Sequence, residues 1–170
     1  MLIGLTGKNG AGKGEVAKYL TERSFAYLSL GDVVREELRS LRQALTREGL
    51  IRAGKELRAA RGPGVLAERV LARLEAGRNT VIDSIRSPAE VEALRRRPDF
   101  VLLAIDAALE TRFARVHARN RESDPRTLLE FQRLEAEENR EEDSSQQVAR
   151  AMELAEVLIE NNGTDRKSVV

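Results

Sequence analysis

The first fourteen residues constrain this chain more than any other part of it. An apolar run, Leu2 to Thr6, leads directly into the segment GKNGAGKG, and a helix-like pattern follows. Glycine at positions 7, 10 and 12 lets successive backbone N–H groups converge on an anion with no Cβ atoms in the way. The first and third of these glycines and the following Lys13 have the G-x-x-x-x-G-K spacing of a phosphate-binding loop. The sequence therefore predicts a strand, a phosphate-binding loop and a helix, in that order.

We predict that this loop binds the phosphates of a nucleotide. Lys13 would reach the β- and γ-phosphates, and the helix that starts there would add its positive N-terminal dipole. The predicted nucleotide-binding residues of this segment are Gly7, Lys8, Asn9, Gly10, Ala11, Gly12, Lys13, Gly14 and Glu15. Gly14 departs from the usual pattern, which has Ser or Thr there as a direct Mg²⁺ ligand. We therefore expect the metal to be held mainly through water and by other side chains.

Composition excludes several classes of protein. The 170 residues contain no interior linker rich in Pro, Gly or Ser, which predicts one domain. The 29 basic and 28 acidic residues leave a net charge of +1, so we expect no nucleic-acid partner. The chain has no cysteine and no apolar stretch near the roughly 20 residues that span a bilayer, so we expect a cytoplasmic protein without membrane contact. Monomer and homodimer both remain open.

Short apolar runs alternate with longer segments of helical periodicity. The predicted strands are Leu2–Thr6, Tyr27–Leu30, Thr80–Asp83, Phe100–Asp106 and Val157–Ile159. The predicted helices are 12–23, 32–42, 47–61, 65–76, 88–95, 109–119, 127–142 and 145–156. This order predicts an α/β fold, a doubly wound five-stranded parallel sheet flanked by helices. Ligands of such a sheet bind beyond the carboxyl ends of the strands, so functional residues are expected just after each strand.

The residues after the second strand carry one acid and one base. Gly31 would permit a tight turn. Asp32 would either cap the next helix, or hold a Mg²⁺-bound water or orient an acceptor hydroxyl beside the loop of Lys13. Arg35, one helical turn later, is predicted to bind an acceptor phosphate in bidentate fashion, with a merely exposed arginine as the alternative.

The third strand is followed by a similar combination. Asp83, at the predicted strand end, is our second carboxylate for a metal-bound water, and Arg86 in the next loop is a second guanidinium for the acceptor. Thr46 and the pair Ser87–Pro88 are predicted helix starts. Residues 62–64, Gly-Pro-Gly, are predicted to separate two helices.

After the fourth strand, Arg112, Arg115 and Arg119 fall at i, i+3 and i+7 on one helical face. Positioned cations stabilise the charge that develops in phosphoryl transfer, and we place Arg119 and Arg121 best for this role. Arg112 and Arg115 could equally be surface residues paired with acids. Residues 120–142 are predicted to form a helical lid that excludes water.

The last strand is followed by a turn that contains Asn161. This turn could contact an adenine edge through backbone groups and Asn161, or it could be a plain C-terminal turn. His117, the only histidine, is predicted to be structural and not a metal ligand.

These motifs resemble those of the nucleoside-monophosphate kinases among the P-loop proteins, over nearly the whole chain. The segment 12–14 resembles the adenylate kinases, which also have glycine after the lysine; GDVVR at 31–35 resembles their acceptor motif, and DSIR at 83–86 resembles their third-strand acid and arginine. The opening segment 3–7, IGLTG, looks equally like dephospho-CoA kinase. The nearest overall resemblance is to a group of adenylate-kinase-related and dephospho-CoA-kinase-like proteins.

The resemblance implies ATP as donor, Mg²⁺ as cofactor and an acceptor-binding helical region at about 32–76. It places Lys13 on the phosphates, Arg35 and Arg86 on the acceptor, and Arg119 near the donor end of the lid. Glu15 and Leu30 depart from the adenylate kinases, which have Thr and a small polar residue there, and the long lid of those enzymes is absent. Dephospho-CoA kinases would have a different acidic sequence at 30–32.

Our leading hypothesis is an ATP-dependent kinase that phosphorylates a nucleoside monophosphate or deoxynucleotide. The predicted catalytic residues are Lys13, Asp32, Arg86 and Arg119; the acceptor residues are Gly31, Arg35, Asp83 and Arg86; Asp32 and Asp83 hold the metal through water; and Asn161 joins the nucleotide site. The alternatives are a dephospho-CoA-kinase-like enzyme that phosphorylates a hydroxyl, and a non-kinase module that binds or slowly hydrolyses ATP.

Overall fold

The computed structural model describes residues 1–119, 124–138 and 147–163 of the chain. Arg121 and residues 120–123 and 139–142 of the predicted lid lie outside these residues. None of the helices in the described ranges is both long enough and apolar enough to cross a membrane.

The structure contains the predicted elements in the predicted order, with ends that differ by a few residues. In chain order they are β1 (Leu2–Gly7), α1 (Lys13–Thr21), β2 (Ala26–Ser29), α2 (Leu30–Ser40), α3 (Arg47–Arg61), α4 (Val65–Leu71), β3 (Thr80–Ile85), α5 (Pro88–Leu94), β4 (Phe100–Asp106), α6 (Leu109–Arg119), α7 (Leu128–Glu138), α8 (Val148–Glu153) and β5 (Val157–Glu160).

The five strands form one parallel sheet in the order β2-β3-β1-β4-β5. The predicted α/β fold with a five-stranded parallel sheet is thereby confirmed. β1 is the central strand, with β3 on one side and β4 on the other. The chain winds from β1 towards both edges, so a crevice is expected at the carboxyl end of β1, where the phosphate-binding loop begins.

Apolar side chains fill both faces of the sheet because parallel strands covered by helices bury both sides. On one face Leu2, Ile82 and Leu102 belong to the larger cluster, together with residues of α2 to α5 and α8. On the other face Leu5 and Val81 belong to a smaller cluster with Val16 and Ala17 of α1. Helix α1 therefore continues directly from the loop into the core, which fixes the loop to the sheet.

Helix starts agree with the sequence at two positions and differ at a third. The side chain of Thr46 accepts a hydrogen bond from the backbone N–H of Gly49, and Ser87 caps α5 ahead of Pro88, as predicted. The predicted capping role of Asp32 is wrong, because α2 starts at Leu30 with Ser29 as its cap. The predicted tight turn at residue 31 is also wrong, because that glycine lies within the first turn of the helix.

β3 runs two residues beyond its predicted end, through a β-bulge. The register between β1 and β3 shifts between Gly4 and Thr6, and Ser84 has φ 68° in the left-handed region. Thr6 Oγ1 donates to the carbonyl of Ile85 at 2.9 Å, which ties the end of β3 to β1 across the bulge. Asp83 therefore lies before the strand end, and the bulge sets the direction of its side chain.

Candidate phosphoryl-transfer site

Dihedral angles and close contacts require glycine at three positions of the loop. Gly7 has φ 141°, Gly10 has φ 79° and Gly12 has φ 107°, all in the region that side chains disfavour. A Cβ at Gly7 would collide with the backbone carbonyl oxygen of Ile105 on β4 and one at Gly10 with that of Arg112, whereas one at Gly12 would meet the side-chain nitrogen of Asn161. The loop backbone is therefore packed closely against the ends of β4 and the helix that carries Arg112.

Lack of space does not explain why position 14 is glycine where the motif usually has Ser or Thr. A Cβ at Gly14 would have no heavy atom within 4 Å, so Ser or Thr would fit there. Glu15 is exposed in the first turn of α1, where an acidic side chain interacts favourably with the helix dipole. A metal at this loop would have to take its ligands from elsewhere.

The two lysines of the loop make different contacts. Lys13 Nζ donates to the carbonyl oxygens of Gly7 at 2.6 Å and Lys8 at 2.9 Å, so its ammonium lies against the loop backbone. Lys8 Nζ forms an ion pair at 2.8 Å with Asp106, the last residue of β4. The sequence analysis gave Asp106 no role, although an acid at the end of a strand was the signal used for Asp83.

Arg112 on α6 is the most buried cation at the loop. Its guanidinium binds both carboxylate oxygens of Glu135 on α7, at 2.7 and 3.1 Å, and donates to the carbonyls of Ala107 and Asn9. The predicted pairing with an acid is found, but the surface position is wrong, because the side chain is only 3 % exposed. Arg112 thus connects the loop, α6 and α7.

Arg115, one turn further along α6, connects the loop to the turn after β5. It donates to the carbonyls of Gly10 and Ala11 at 3.5 and 3.4 Å, to Asn161 Oδ1 at 3.4 Å and to the Gly163 carbonyl at 2.9 Å. Asn161 Nδ2 in turn donates to the Ala11 carbonyl at 3.0 Å. The predicted nucleotide-binding Asn161 therefore lies against the loop.

Arg119 makes a different contact from the one proposed for it. Its guanidinium binds both oxygens of Asp124, at 2.8 and 2.7 Å. Because α6 begins beside the loop and rises about 1.5 Å per residue, Arg119 lies roughly 10 Å further along the helix than Arg112. Of the three arginines, Arg112 and Arg115 are the ones whose hydrogen bonds reach the loop.

The tips of β2 and β3 form a second group of polar side chains. Arg35 Nη1 binds Asp32 Oδ1 at 2.7 Å, and both side chains are nearly half exposed. Ser29 Oγ donates to Ser84 Oγ at 3.2 Å. A Cβ at Gly31 would lie 3.2 Å from Arg35 Nη1, so glycine leaves room for the guanidinium to fold back onto Asp32.

Asp83 is held by two donors. Tyr27 Oη on β2 donates to Asp83 Oδ2 at 3.2 Å, and the backbone N–H of Ser84 donates to Oδ1 at 2.6 Å. Burial, followed by the negative charge of Asp83, raises the pKa of the Tyr27 phenol to about 12. Tyr27 is therefore an uncharged donor at neutral pH. Sequence reasoning missed it, because the contact depends on the pairing of β2 with β3.

The backbone of Arg86 is bound on both sides. Its N–H donates to Glu90 Oε2 at 2.7 Å, and its carbonyl accepts from the backbone N–H of Gln147 at 2.8 Å. Glu90 is fully buried and its other oxygen binds Arg58 of α3. Neither Glu90 nor Arg58 was singled out in the sequence, because their roles depend on how α3 packs against α5.

The acidic residues of the site fit a magnesium ion that is bound through water. In the described ranges, no three or more His, Cys, Asp or Glu side chains cluster as a protein metal cage would require. Mg²⁺ usually binds one or two carboxylates, several waters and substrate phosphates instead. Asp32 lies on α2 just after β2, and Asp83 lies near the end of the neighbouring strand β3, which is itself next to the strand that leads into the loop. This donor set suits the water-mediated role predicted for them.

Comparisons with known proteins agree with the fold. A family model described as an AAA domain matches residues 3–146. The chain is 35 % identical to the UPF0200 protein PH1008 of Pyrococcus horikoshii, with 96 % of this chain and 89 % of that protein covered. It is 32 % identical to the UPF0200 protein of Methanosarcina barkeri, with 96 % and 87 % covered.

Solved structures show the same architecture. TT1252 from Thermus thermophilus has a TM-score of 0.61 and 25 % identity, with 99 % of this chain and 92 % of that chain covered. Shikimate kinase from Acinetobacter baumannii has a TM-score of 0.58 and 16 % identity, with 98 % and 86 % covered, which is a similarity of fold alone. The predicted place in the P-loop kinase-like superfamily is confirmed, and the chain belongs to the UPF0200 proteins and to the AAA-domain family that its residues 3–146 match.

Proposed function

We propose that the protein is an ATP-dependent kinase that transfers the γ-phosphate of ATP to a nucleoside monophosphate or deoxynucleotide. The observation that carries this proposal is that the phosphate-binding loop and a second set of polar side chains lie at the same end of three adjacent strands, β1, β3 and β2. The phosphate-binding loop follows β1, whereas the Asp32–Arg35 pair lies in the first turns of α2, directly after β2, and Asp83 lies two residues before the end of β3. A donor site and an acceptor site would therefore face each other across one edge of the sheet.

The donor half of this site consists of the loop, Lys13, Arg115 and the turn at 161–163. Lys13 would exchange its two carbonyl contacts for the β- and γ-phosphates, which are stronger acceptors because they are charged. The turn at 161–163 lies on the outer side of the loop, beside Arg115, and would contact the base. Arg119 would approach the donor only if its bond to Asp124 opened.

The acceptor half consists of Arg35, Arg86, Asp32 and Asp83. An acceptor phosphate would replace the carboxylate of Asp32 on the Arg35 guanidinium, which suits bidentate binding of an anion. Asp32 would then be released to orient a metal-bound water, together with Asp83. Bound Mg²⁺ would neutralise charge on the transferred phosphate.

The reaction would be a direct in-line transfer. An oxygen of the acceptor phosphate forms a bond to the γ-phosphorus while the bond from that phosphorus to the β–γ bridging oxygen breaks, and ADP leaves. The side chains would position the two substrates and stabilise the developing charge, so no covalent enzyme intermediate is needed.

Release of ADP from Mg-ATP, measured against a panel of ribo- and deoxynucleoside monophosphates and dephospho-CoA, tests the proposal. We expect stimulation by a monophosphate and formation of the matching diphosphate. Turnover with dephospho-CoA alone would instead support phosphorylation of a hydroxyl, with the half-exposed Asp32 as a candidate base. ATP binding without stimulation by any acceptor would favour the binding or slow ATPase module, for which the missing hydroxyl at Gly14 is the supporting observation.

A further inference from the structure

A buried ion pair lies beside the loop that carries Arg86. Arg58 on α3 is 7 % exposed, and its Nη2 donates to Oε1 of Glu90 at 2.9 Å. Glu90 on α5 is fully buried, and its Oε2 accepts the backbone N–H of Arg86 at 2.7 Å. One carboxylate therefore joins helix α3, in the predicted acceptor-binding region, to the loop after β3.

Burying this ion pair costs free energy of folding. Both charges have lost their hydration, and Nε of Arg58 has no hydrogen-bond partner in the described part of the chain although it is buried. Buried ion pairs can often be replaced by apolar side chains of similar volume without loss of stability. Packing alone therefore does not account for Arg58 and Glu90, whereas the hydrogen bond from the partly buried N–H of Arg86 gives the Glu90 carboxylate a specific partner.

Among the residues that the structure describes, an open cleft lies next to the loop. It has a volume of about 430 Å³, and Arg58, Ser87 and Gln147 are among the residues that line it. The hydrogen bonds of the Arg86 peptide, through its N–H to Glu90 and through its carbonyl to Gln147, bind the loop beside this open space. Of these two partners of Arg86, Glu90 binds through its side chain and Gln147 through its backbone.

We propose that Glu90 is a positioning residue for Arg86 and that Arg58 holds the Glu90 carboxylate in place. The proposal rests on the proposed function, in which Arg86 binds the acceptor. Because Arg58 belongs to α3, the position of the acceptor guanidinium is set by the acceptor-binding helices themselves. A displacement of about 1 Å at such a contact can lower the rate about 100-fold.

Two double variants separate positioning from stability. Arg58→Met with Glu90→Leu removes both charges and leaves the N–H of Arg86 without an acceptor. Arg58→Met with Glu90→Gln also removes both charges, but the amide oxygen can still accept that N–H. The single substitutions are avoided because each would leave one buried charge unpaired.

A control pair with a similar hydrogen-bond pattern lies on the opposite edge of the sheet. Glu156 likewise shares its carboxylate between an arginine, Arg95, and a backbone N–H, that of Leu102, but the two side chains are 40 % and 42 % exposed and Arg95 also donates to the Leu154 carbonyl. Arg95→Met with Glu156→Leu therefore removes an arginine–carboxylate pair and a backbone acceptor away from the acceptor site. It should leave the steady-state constants for the acceptor unchanged.

We expect kcat/KM for the acceptor to fall about 10- to 100-fold in the Leu variant, with KM for ATP unchanged, and to stay near wild type in the Gln variant. Amide hydrogen exchange at Arg86, followed by NMR, should be faster in the Leu variant than in the Gln variant. Thermal melts establish that each variant is folded.

Two outcomes would overturn the proposal: wild-type acceptor kinetics in a folded Leu variant, or equal losses in the Leu and Gln variants. Absence of acceptor turnover in the wild-type protein would instead contradict the proposed function. The exchange rate of the Arg86 amide would then still decide whether Glu90 fixes this loop, since equal exchange in both variants excludes it.

Discussion

The donor and acceptor halves of the site are built in different ways. On the donor side, backbone oxygens stand where a Cβ at Gly7 or Gly10 would lie, and the 3 % exposed Arg112 is bonded to the loop and to α7. On the acceptor side, Arg35 and Asp32 form a salt bridge while 43 % and 48 % exposed. The phosphate-binding loop is held by buried contacts to several elements, whereas the guanidinium of Arg35 is held by a carboxylate in partial contact with water, although the backbone of Arg86 is bound to the buried Glu90.

This difference indicates what each half has to do. A phosphate-binding loop gains affinity when its N–H groups are already in position, because no ordering is needed on binding. An exposed ion pair contributes at most about 1 kcal/mol to stability, so an incoming phosphate can displace its carboxylate at little cost. We therefore expect substitution of the buried Arg112 to affect folding, substitution of Lys13 to affect phosphate transfer from the nucleotide, and substitution of Arg35 to affect the acceptor.

The largest expected effect tests the donor half through its buried cation. Arg112→Met should destabilise the protein by about 3 kcal/mol, because the bidentate ion pair with Glu135 is lost and two carbonyls lose a donor. Chemical denaturation measures the change. Arg133→Met on α7 is the control, because its ion pair with Glu137 is exposed and should contribute less than about 1 kcal/mol. Equal effects of the two substitutions would contradict the contrast between buried and exposed pairs.

The second test removes a cation from the donor half without removing a buried pair. Lys13→Ala should lower kcat about 10²- to 10³-fold, because one donor to the developing phosphate charge is lost, while the melting temperature changes little. ADP release and thermal unfolding measure the two quantities. Lys18→Ala, on the exposed side of the same helix, should retain wild-type kcat. Full activity of Lys13→Ala would remove the loop from the donor site.

The third test concerns the acceptor half. Arg35→Ala should raise KM for the acceptor about 10- to 100-fold, the equivalent of roughly 1.5 to 3 kcal/mol for a charged hydrogen bond, and leave KM for ATP unchanged. Its stability should fall by less than about 1 kcal/mol, because the pair with Asp32 is exposed. Arg39→Ala, further along α2, is the control for loss of charge. A rise in KM for ATP instead would show that the two halves are reversed.

The same division explains what could be predicted from the sequence. The loop was predictable because its glycines meet local requirements, which sequence spacing expresses. Helical spacing likewise placed Arg112 and Arg119 on one face. It could not show which end of α6 meets the loop, since that depends on the contact of Arg112 with Glu135, 23 positions away on α7.

The acceptor half was less predictable, because its contacts join residues distant in sequence. Asp83 and Arg86 follow from the rule about strand ends, but the partners that hold them do not. Tyr27 is 56 positions from Asp83, and it reaches that acid only because β2 pairs with β3. The cap of α2 was misassigned to Asp32 since Ser29, the true cap, reads equally well as the end of a strand.

The smallest expected effect concerns the pH dependence of stability that the Tyr27 phenol causes. Its pKa in the folded protein, about 12, is above the ordinary value of 10.0, so the stability that the neutral phenol contributes is complete below pH 10 and is lost as the pH rises towards 12. Melting temperatures should therefore fall less between pH 10 and 12 in Tyr27→Phe than in the wild type. Tyr19→Phe, which removes a phenol beneath the Arg23 guanidinium, is the control and should keep the wild-type slope. Identical slopes for Tyr27→Phe and the wild type would show that the fold does not favour the neutral form of the Tyr27 phenol, through burial or through Asp83.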